Sequence, residues 1–412
     1  MFYLLLACFA PTALQVGSSE KEGGPSIPEE EEEDVIPPAE EVPEEEGGDD
    51  WIFSQDQTHS IRLEISADGR RKLDRDPYTA VPALAWYDDR PMGTIGVRLR
   101  GKIGSFRDLD GKPKLQLDTN AFAEGERFYG LEGLSLNNAV VDCSSIKDPL
   151  ATRTFAAAGI AASRTTYAQV SIDDEAYGLY VVVETPDDRF LKRNFEEPDG
   201  TLYDGKYLYY DNGSHTLLDF TPDLVDSFQQ EEGEDVGHAD LHALTDAVTA
   251  AWGTDHFMSD LDPYLNWDEY LTELAVEQVT GHLDGYALNT NNYRVYFDPA
   301  DGKAKLIPWD FDYAYLEESW WGMNWNNPRG LLAAGCMQDE ACKEALRQKV
   351  AEVLEKVPAT DISAWAEELL DWVEGEDDPR AECGRRDILS ERQRMRAWPE
   401  ARETALRRQW DL

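Results

Sequence analysis

The segment His282-Leu283-Asp284-Gly285-Tyr286-Ala287-Leu288-Asn289 sets a carboxylate and a carboxamide five residues apart. After a short strand-like run comes Ile307-Pro308-Trp309-Asp310-Phe311-Asp312. Phosphoryl transfer asks for positioning and charge neutralisation more than for covalent chemistry. An aspartate to accept a hydroxyl proton, with an amide oxygen and further carboxylates to hold a divalent cation, is the inventory it needs. On this reading Asp284 takes the proton, Asn289 and Asp310 hold the metal, and Asp312 is a candidate further ligand. Taken singly, each also has a scaffold role: Asp284 and Asn289 can brace the turn after a long helix, and Asp310 can open a turn after Trp309.

Phosphates need a cradle and a cation. Gly-Val-Arg-Leu-Arg-Gly-Lys-Ile-Gly-Ser-Phe places Gly96, Gly101 and Gly104 between strand-like residues, so a turn there can bring backbone N–H groups up to phosphate oxygens. Arg100, Gly101 and Gly104 are the candidates for that contact. Lys112 or Lys114, in the following Lys-Pro-Lys-Leu-Gln-Leu-Asp, can reach the α and β phosphates, and spacing alone leaves the choice between them open.

Definite elements must carry these side chains. From Trp51 the chain alternates apolar and polar residues through HSIRLEISA, ALAWYDD and GTIGVRLRG, and continues through KPKLQLDTN and LEGLSLNNAV, a β-rich opening. Residues 144–159 predict a helix closed by Gly159. Strands return in RTTYAQVSID and AYGLYVVVE, followed by the amphipathic PDDRFLKRNF. The second half reads as mostly helical. Asn266 caps a helix with Asp268 and Glu269 in its first turn, and Tyr270, Leu271, Leu274, Ala275 and Val279 recur at helical spacing up to the Asp284 loop. NNYRVYFD and KAKLIPW, joined by Pro-Ala-Asp-Gly, predict a hairpin that ends at Asp310. Charged helices follow from Asp339 to Leu412.

The order helix, loop, two strands, Asp-Phe is also that of protein kinases, where H-R-D-x-x-x-x-N and a later D-F-G play these parts. Leu283 stands in place of the Arg, and Asp312 in place of the Gly. The ensemble GVRLRGKIGSF, KPKLQLD, GLEGLSLNN, YGLYVVVETPDDRFLKRNF, GHLDGYALNTNNY and IPWDFDYA resembles the spore-coat-protein-H (CotH) kinase family over roughly Trp51 to Tyr315. The resemblance implies an α+β, atypical protein-kinase-like fold of two lobes: a β-rich N-terminal lobe over 51–185 and a mainly helical C-terminal lobe over 186–412. It implies ATP with Mg²⁺ or Mn²⁺, and phosphorylation of protein serines, often on exported or coat proteins. Carried over by motif, Asp284 is catalytic, Asn289 and Asp310 are metal ligands, and Lys112 is the phosphate-contacting lysine. YGLYVVVE leads into an adenine-binding hinge near Glu184. The 144–159 helix lacks the Glu that pairs with such a lysine, so Asp148 or Asp142 must supply the partner or the pairing is absent. Asp312 either adds a metal ligand or removes a switching hinge, so a constitutive site is expected.

Composition narrows the partners. The chain has 412 residues and a net charge of −45, of which −14 falls between Glu20 and Asp50, so the remainder is strongly acidic as well. That field repels nucleic acid and anionic lipid; it serves either solubility or salt tolerance, or a basic protein partner such as a Ser-, Lys- and Arg-rich segment. Residues 1–16 read as an export signal, within which Leu5-Leu6-Ala7-Cys8 resembles a bacterial lipobox, and 17–50 reads as an acidic disordered tether. An exported protein is the expectation, either lipid-anchored at the cell envelope or surface through Cys8 or, since the segment lacks a basic n-region, carrying an ordinary secretory signal, with no other membrane contact. Cys143, Cys336, Cys342 and Cys383 then form an even set, with a 336/342 disulfide favoured. His238 and His242 have no clear third ligand and read as surface. Two other functions compete: a surface binding or adhesion protein that keeps the fold without transfer, and, third, a metal-dependent glycosyltransferase reading Asp310-Phe311-Asp312 as D-x-D. The β-rich opening speaks against the last.

Overall fold

Alternation along the first strands produces a closed barrel. The computed structural model describes residues 48–412 apart from 103, 124, 206 and 210–214; the segments expected as export signal and tether, with Cys8, lie outside the described residues but for 48–50. Strand β1 (His59–Ile65) leads through α1 (Ala67–Arg75) to β2 (Val81–Tyr87), β3 (Arg90–Arg100), β4 (Lys114–Asp118) and β5 (Gly133–Asn137). Helix α2 (Lys147–Ala158) precedes β6 (Thr165–Ile172) and β7 (Glu175–Glu184). The strand order is β1-β2-β3-β4-β5-β7-β6, and β1 closes the ring by pairing parallel with β6. Closure removes the exposed edges of an open sheet. Alternate residues of β7 serve two cores: Tyr180 and Val182 belong to the barrel core with Leu63, Val97 and Leu115. Val181 and Val183 join Phe155 of α2 in the larger helical core.

After α3 (Asp188–Asn194) the chain forms β8 (Thr201–Gly205), the small pair β9 (Tyr207–Tyr209) and β10 (His215–Leu217), and β11 (Gln229–Glu232). Helices α4 (Ala239–Ala251), α5 (Phe257–Leu261), α6 (Trp267–Thr280) and α7 (Tyr286–Asn289) lead to β12 (Tyr293–Asp298) and β13 (Lys303–Pro308). The expected hairpin is present as β12–β13, but β8 and β11 extend it to a four-stranded sheet, β11-β8-β12-β13, so this part is less purely helical than its sequence reads. Helices α8 (Leu331–Gln338), α9 (Glu340–Lys356), α10 (Ala359–Glu374) and α11 (Arg385–Gln409) complete a mixed α+β architecture.

Two boundaries differ from expectation. The tether was to run through Asp50, yet Asp49 is buried, and its carboxylate pairs with Arg164 at 2.7 Å and Arg189 at 3.2 Å, so ordered structure already includes Asp49. The 144–159 helix starts at Lys147, because the Asp142 carboxylate accepts from the Ser144 and Lys147 amides and holds the chain in a turn; Gly159 ends it at φ 96°. All four described cysteines are paired, Cys336 with Cys342 and Cys143 with Cys383.

The acidic stretch between α10 and α11 is a strap along the barrel. Arg380 bonds the carbonyls of Leu109 and Asp110 and stacks on Tyr177, Gln169 reaches Glu376, and Glu382 pairs with Arg107. Asp378 takes the ammonium of Lys112 at 2.6 Å, and Lys112 is 2% exposed. Removing one partner of such a pair leaves a buried charge uncompensated. Asp378→Ala should therefore lower unfolding stability by about 3 kcal/mol in urea titrations, and Lys112→Met in the same chain should recover at least half of it. Equal losses from the single and the double variant would exclude this coupling.

Candidate functional site

Several segments meet at one cavity of about 680 Å³, among them the ends of β3 and β4, the loop after α6, strands β8 and β12, and the residues following β13. Lys114, the first residue of β4 and the register partner of Arg100, is 2% exposed. Its ammonium lies 3.0 and 3.1 Å from the two oxygens of Asp310 and 2.8 Å from Asp312. Burial draws this ammonium down, but Asp310, Asp312 and Asp148 outweigh it and hold it above its ordinary range. Burial likewise opposes the Asp310 carboxylate, yet Lys114 and Arg100 keep it below its usual value, while burial and the Asp310 charge push Asp312 up. Asp310 itself has φ 49°, a left-handed conformation uncommon outside glycine.

The backbone around these charges is fixed from behind. Asp148 of α2 accepts from the Phe311 amide at 2.8 Å and from the Asn137 side chain at 2.7 Å. Phe311 packs between Phe155 of α2, at 5.3 Å between ring centroids, and His282, at 4.9 Å. Helix α6 ends at Gly281, whose φ of 56° and close approach to the Trp398 ring admit no side chain. The loop then pairs with the segment after Phe311 through Leu283 N to Tyr313 O and Tyr315 N to Thr280 O. Glu277 accepts from the Ala287 amide at 3.2 Å and packs so tightly on Gly285 that a Cβ there would collide with it.

Asp284 lines the cavity and is 8% exposed. Asn289 donates to one of its oxygens at 2.6 Å and Asn292 to the other at 3.0 Å, and Asn292 also reaches the Asp310 carbonyl at 3.3 Å. Burial, with Asp312 and Asp310 adding to it, pushes the Asp284 carboxyl up to about 7.

Of the residues singled out by sequence, Asp284, Asp310, Asp312, Arg100 and Gly101 line this cavity, and Lys114 is tied to it through its bonds to Asp310 and Asp312 without lining it. The others stand apart from the cavity lining. Asn289 lies behind Asp284 with its amide oxygen toward Arg329 at 3.3 Å, while Asn291 and Asn292 of the same Asn-Thr-Asn-Asn run line the cavity. Lys112 lines a separate cavity of about 220 Å³ with its partner Asp378. Gly104 contacts Tyr313, and Glu184 is fully buried between Arg164 at 2.6 Å and Arg193 at 2.5 Å, leaving Thr185 to line the cavity at that end of β7. Sequence reasoning missed Arg98, Asn291, Asn292 and Arg294, all in the lining. The repeated asparagines were a usable signal; an arginine inside a strand was not.

The family model described as CotH kinase protein matches residues 97–376, well over half of the chain and including Lys114, Asp284 and Asp310. The chain belongs to the CotH kinase family. A curated relative, inner spore coat protein H of Bacillus subtilis (strain 168), is 24% identical over 200 residues, which are 47% of this chain and 52% of the relative. The chain thus spans about half the length of that CotH relative. A solved complex of Shewanella oneidensis MR-1, the toxin–antitoxin system HipA and HipB with operator DNA, shows 13% identity and a TM-score of 0.37 over 87% of this chain and 75% of that one. A likeness at that score carries no weight.

The Lys114 ammonium is the shared counter-charge of three buried carboxylates, so its loss should be felt according to their protonation. Their unfolded-state pKa values lie near 4, whereas in Lys114→Met burial raises them in the folded state, with Arg100 and Lys147 left to oppose it. The variant should accordingly be several kcal/mol less stable than wild type at pH 8 and recover as pH falls toward 5. Urea titrations at the two pH values check this; a loss that does not change between them would contradict it.

Proposed function

We propose that this chain is a protein serine kinase acting outside the cytoplasm, taking ATP as donor with Mg²⁺ or Mn²⁺. The observation that carries the reading is the convergence of Asp284, Asp310 and Asp312 on one cavity, with Lys114 bonded to the last two. Membership of the CotH kinase family agrees with it. The cavity is bordered by barrel strands β3 and β4 on one side and by residues 284–313 on the other, which supports a two-lobed, kinase-like arrangement.

Asp284 is placed to accept the proton of a serine hydroxyl. A carboxylate that titrates near neutrality is well matched to that task, being both ionised and basic enough at working pH. Asn289 and Asn292 hold its two oxygens in one orientation. Lys114 sets a fixed positive charge beside the carboxylates. Among the described residues no three His, Cys, Asp or Glu side chains are pre-arranged as a metal cage. Mg²⁺ is characteristically held by one or two carboxylates together with substrate phosphates, so the hard oxygens of Asp310 and Asp312, with the amide oxygen of Asn292, suit it, whereas the amide oxygen of Asn289 is turned to Arg329. When bound, the ion supplies charge neutralisation for the phosphoryl oxygens.

The export-signal-like N-terminus, a possession of two disulfides, and similarity to a protein named as a spore coat component support an exported, surface-associated role. Cys8 is the remaining candidate for a lipid anchor. The acidic surface favours a basic segment around the acceptor serine. A second reading, a surface binding protein that transfers nothing, is favoured by one observation: Lys114 contacts both Asp310 oxygens and Asp312, where a metal must bind.

Calorimetry of the full chain with ATP separates these readings. ATP should bind in the presence of Mg²⁺ or Mn²⁺, and Asp310→Ala should abolish the metal-dependent part. No binding with either metal would remove the kinase reading. Preferential phosphorylation of acidic over basic serine peptides would remove its proposed acceptor class.

A further inference from the structure

Three arginines on one side of the cavity stand out because no carboxylate among the described residues comes within ion-pair distance of them. Arg98 and Arg100 stand two apart on β3, so they leave the same face of the strand, and Arg294 comes from β12; all three line the cavity. Arg294 is 8% exposed, and neither its Nε nor its Nη1 has a hydrogen-bond partner. Nη1 of Arg100 has none either. Among the described residues none of the three guanidiniums forms an ion pair. Asp204 faces Arg294 across the β8–β12 register and lines the same cavity, yet stays beyond ion-pair distance. Asp118, Glu231 and Asp204 pull on Arg98, and Asp310 and Asp204 on Arg100, only through space. The guanidiniums of Arg294 and Arg100 lie 4.5 and 5.5 Å from the ring centroid of Trp309, which orients both.

In a chain with 83 acidic and 38 basic residues, a cation finds a carboxylate easily. Three that are gathered in one partly dry place without a partner, and that repel one another, are destabilising until an anion arrives. Guanidinium forks suit phosphate oxygens better than any other side chain, since they donate two parallel hydrogen bonds. The expected glycine cradle is incomplete here, because Gly101 lines the cavity and Gly104 does not.

We infer that Arg294 and Arg100, held against Trp309, with Arg98 beside them, form a guanidinium clamp for the phosphate chain of the phosphoryl donor. The anion site stands on the unpaired guanidiniums; the identity of its ligand as a nucleotide rests on the kinase reading. The clamp sits within the same cavity as Asp310 and Asp312, so it can hold the donor while these carboxylates and Asp284 act at the phosphoryl group to be moved.

Calorimetry of the full chain with sodium tripolyphosphate, without any divalent metal, tests the clamp apart from catalysis. Wild type should bind it, Arg294→Met should bind it about 10- to 100-fold more weakly, and Arg294→Lys should recover only part of the loss. Unligated Arg294→Met should withstand at least as much urea as wild type, because a charge without a partner has been removed. Tripolyphosphate binding equal in wild type and Arg294→Met, no binding by wild type, or a marked loss of stability in the unligated variant would each overturn the inference. Tripolyphosphate binding that depends on Arg294, with no transfer from ATP, would leave the clamp standing and remove the kinase reading. Transfer from ATP with KM unchanged in Arg294→Met would remove the clamp and leave the kinase reading.

Discussion

A single buried ammonium organises the centre of this molecule. Lys114 is withdrawn from water and faces Asp310 and Asp312 at hydrogen-bonding distance, with Asp148 close behind. Neither the lysine nor the aspartates could be buried alone without neutralising themselves, so each fixes the other's position and protonation. The pair also joins distant parts of the chain, because Lys114 opens a barrel strand whereas Asp310 follows the β12–β13 hairpin.

Helix α2 is tied to the same point twice. Asp148 holds the Phe311 amide, and Phe155 packs on the Phe311 ring whose other neighbour is His282. Lys147 adds a third link, from its ammonium to the Asp312 carbonyl at 3.1 Å. The sequence lacks a glutamate on this helix, and the structure uses Asp148 differently from a simple lysine partner: it binds backbone at Phe311 and acts on Lys114 through space. Displacing α2 would therefore disturb the Asp310 backbone and the His282 loop together. Such a dense set of ties is suited to a site that is held in one state.

Much of this was legible in the residues. The alternating strands, the Asn266-capped helix and the hairpin before Asp310 follow from periodicity, capping and turn chemistry, and the motif order led to the right family. Closure of the barrel was hidden, since it rests on a parallel pairing between β1 and β6, remote in sequence. Lys112 and Lys114 could not be separated because residues two apart on a strand face the same way. What separates them is Asp378, 266 residues from Lys112, in a strap between α10 and α11 that the sequence reading included in the charged helices after Asp339. Arg294 was invisible for a related reason: in Tyr-Arg-Val-Tyr-Phe it looks like the outward position of a half-buried strand, and only the fold reveals that its outer face borders a cavity.

Transfer of phosphate itself is the most direct measurement. The full chain would be incubated with γ-labelled ATP, Mg²⁺ or Mn²⁺, and a serine peptide rich in Lys and Arg, beside Asp284→Asn, which keeps the shape of the site and leaves the Lys114 cluster untouched. Label on the serine with wild type, reduced by about 10²- to 10⁴-fold in Asp284→Asn, is the predicted result. Equal transfer by both proteins, or none by wild type under conditions where ATP binds, would contradict the assignment of Asp284 as the base of a phosphoryl-transfer site.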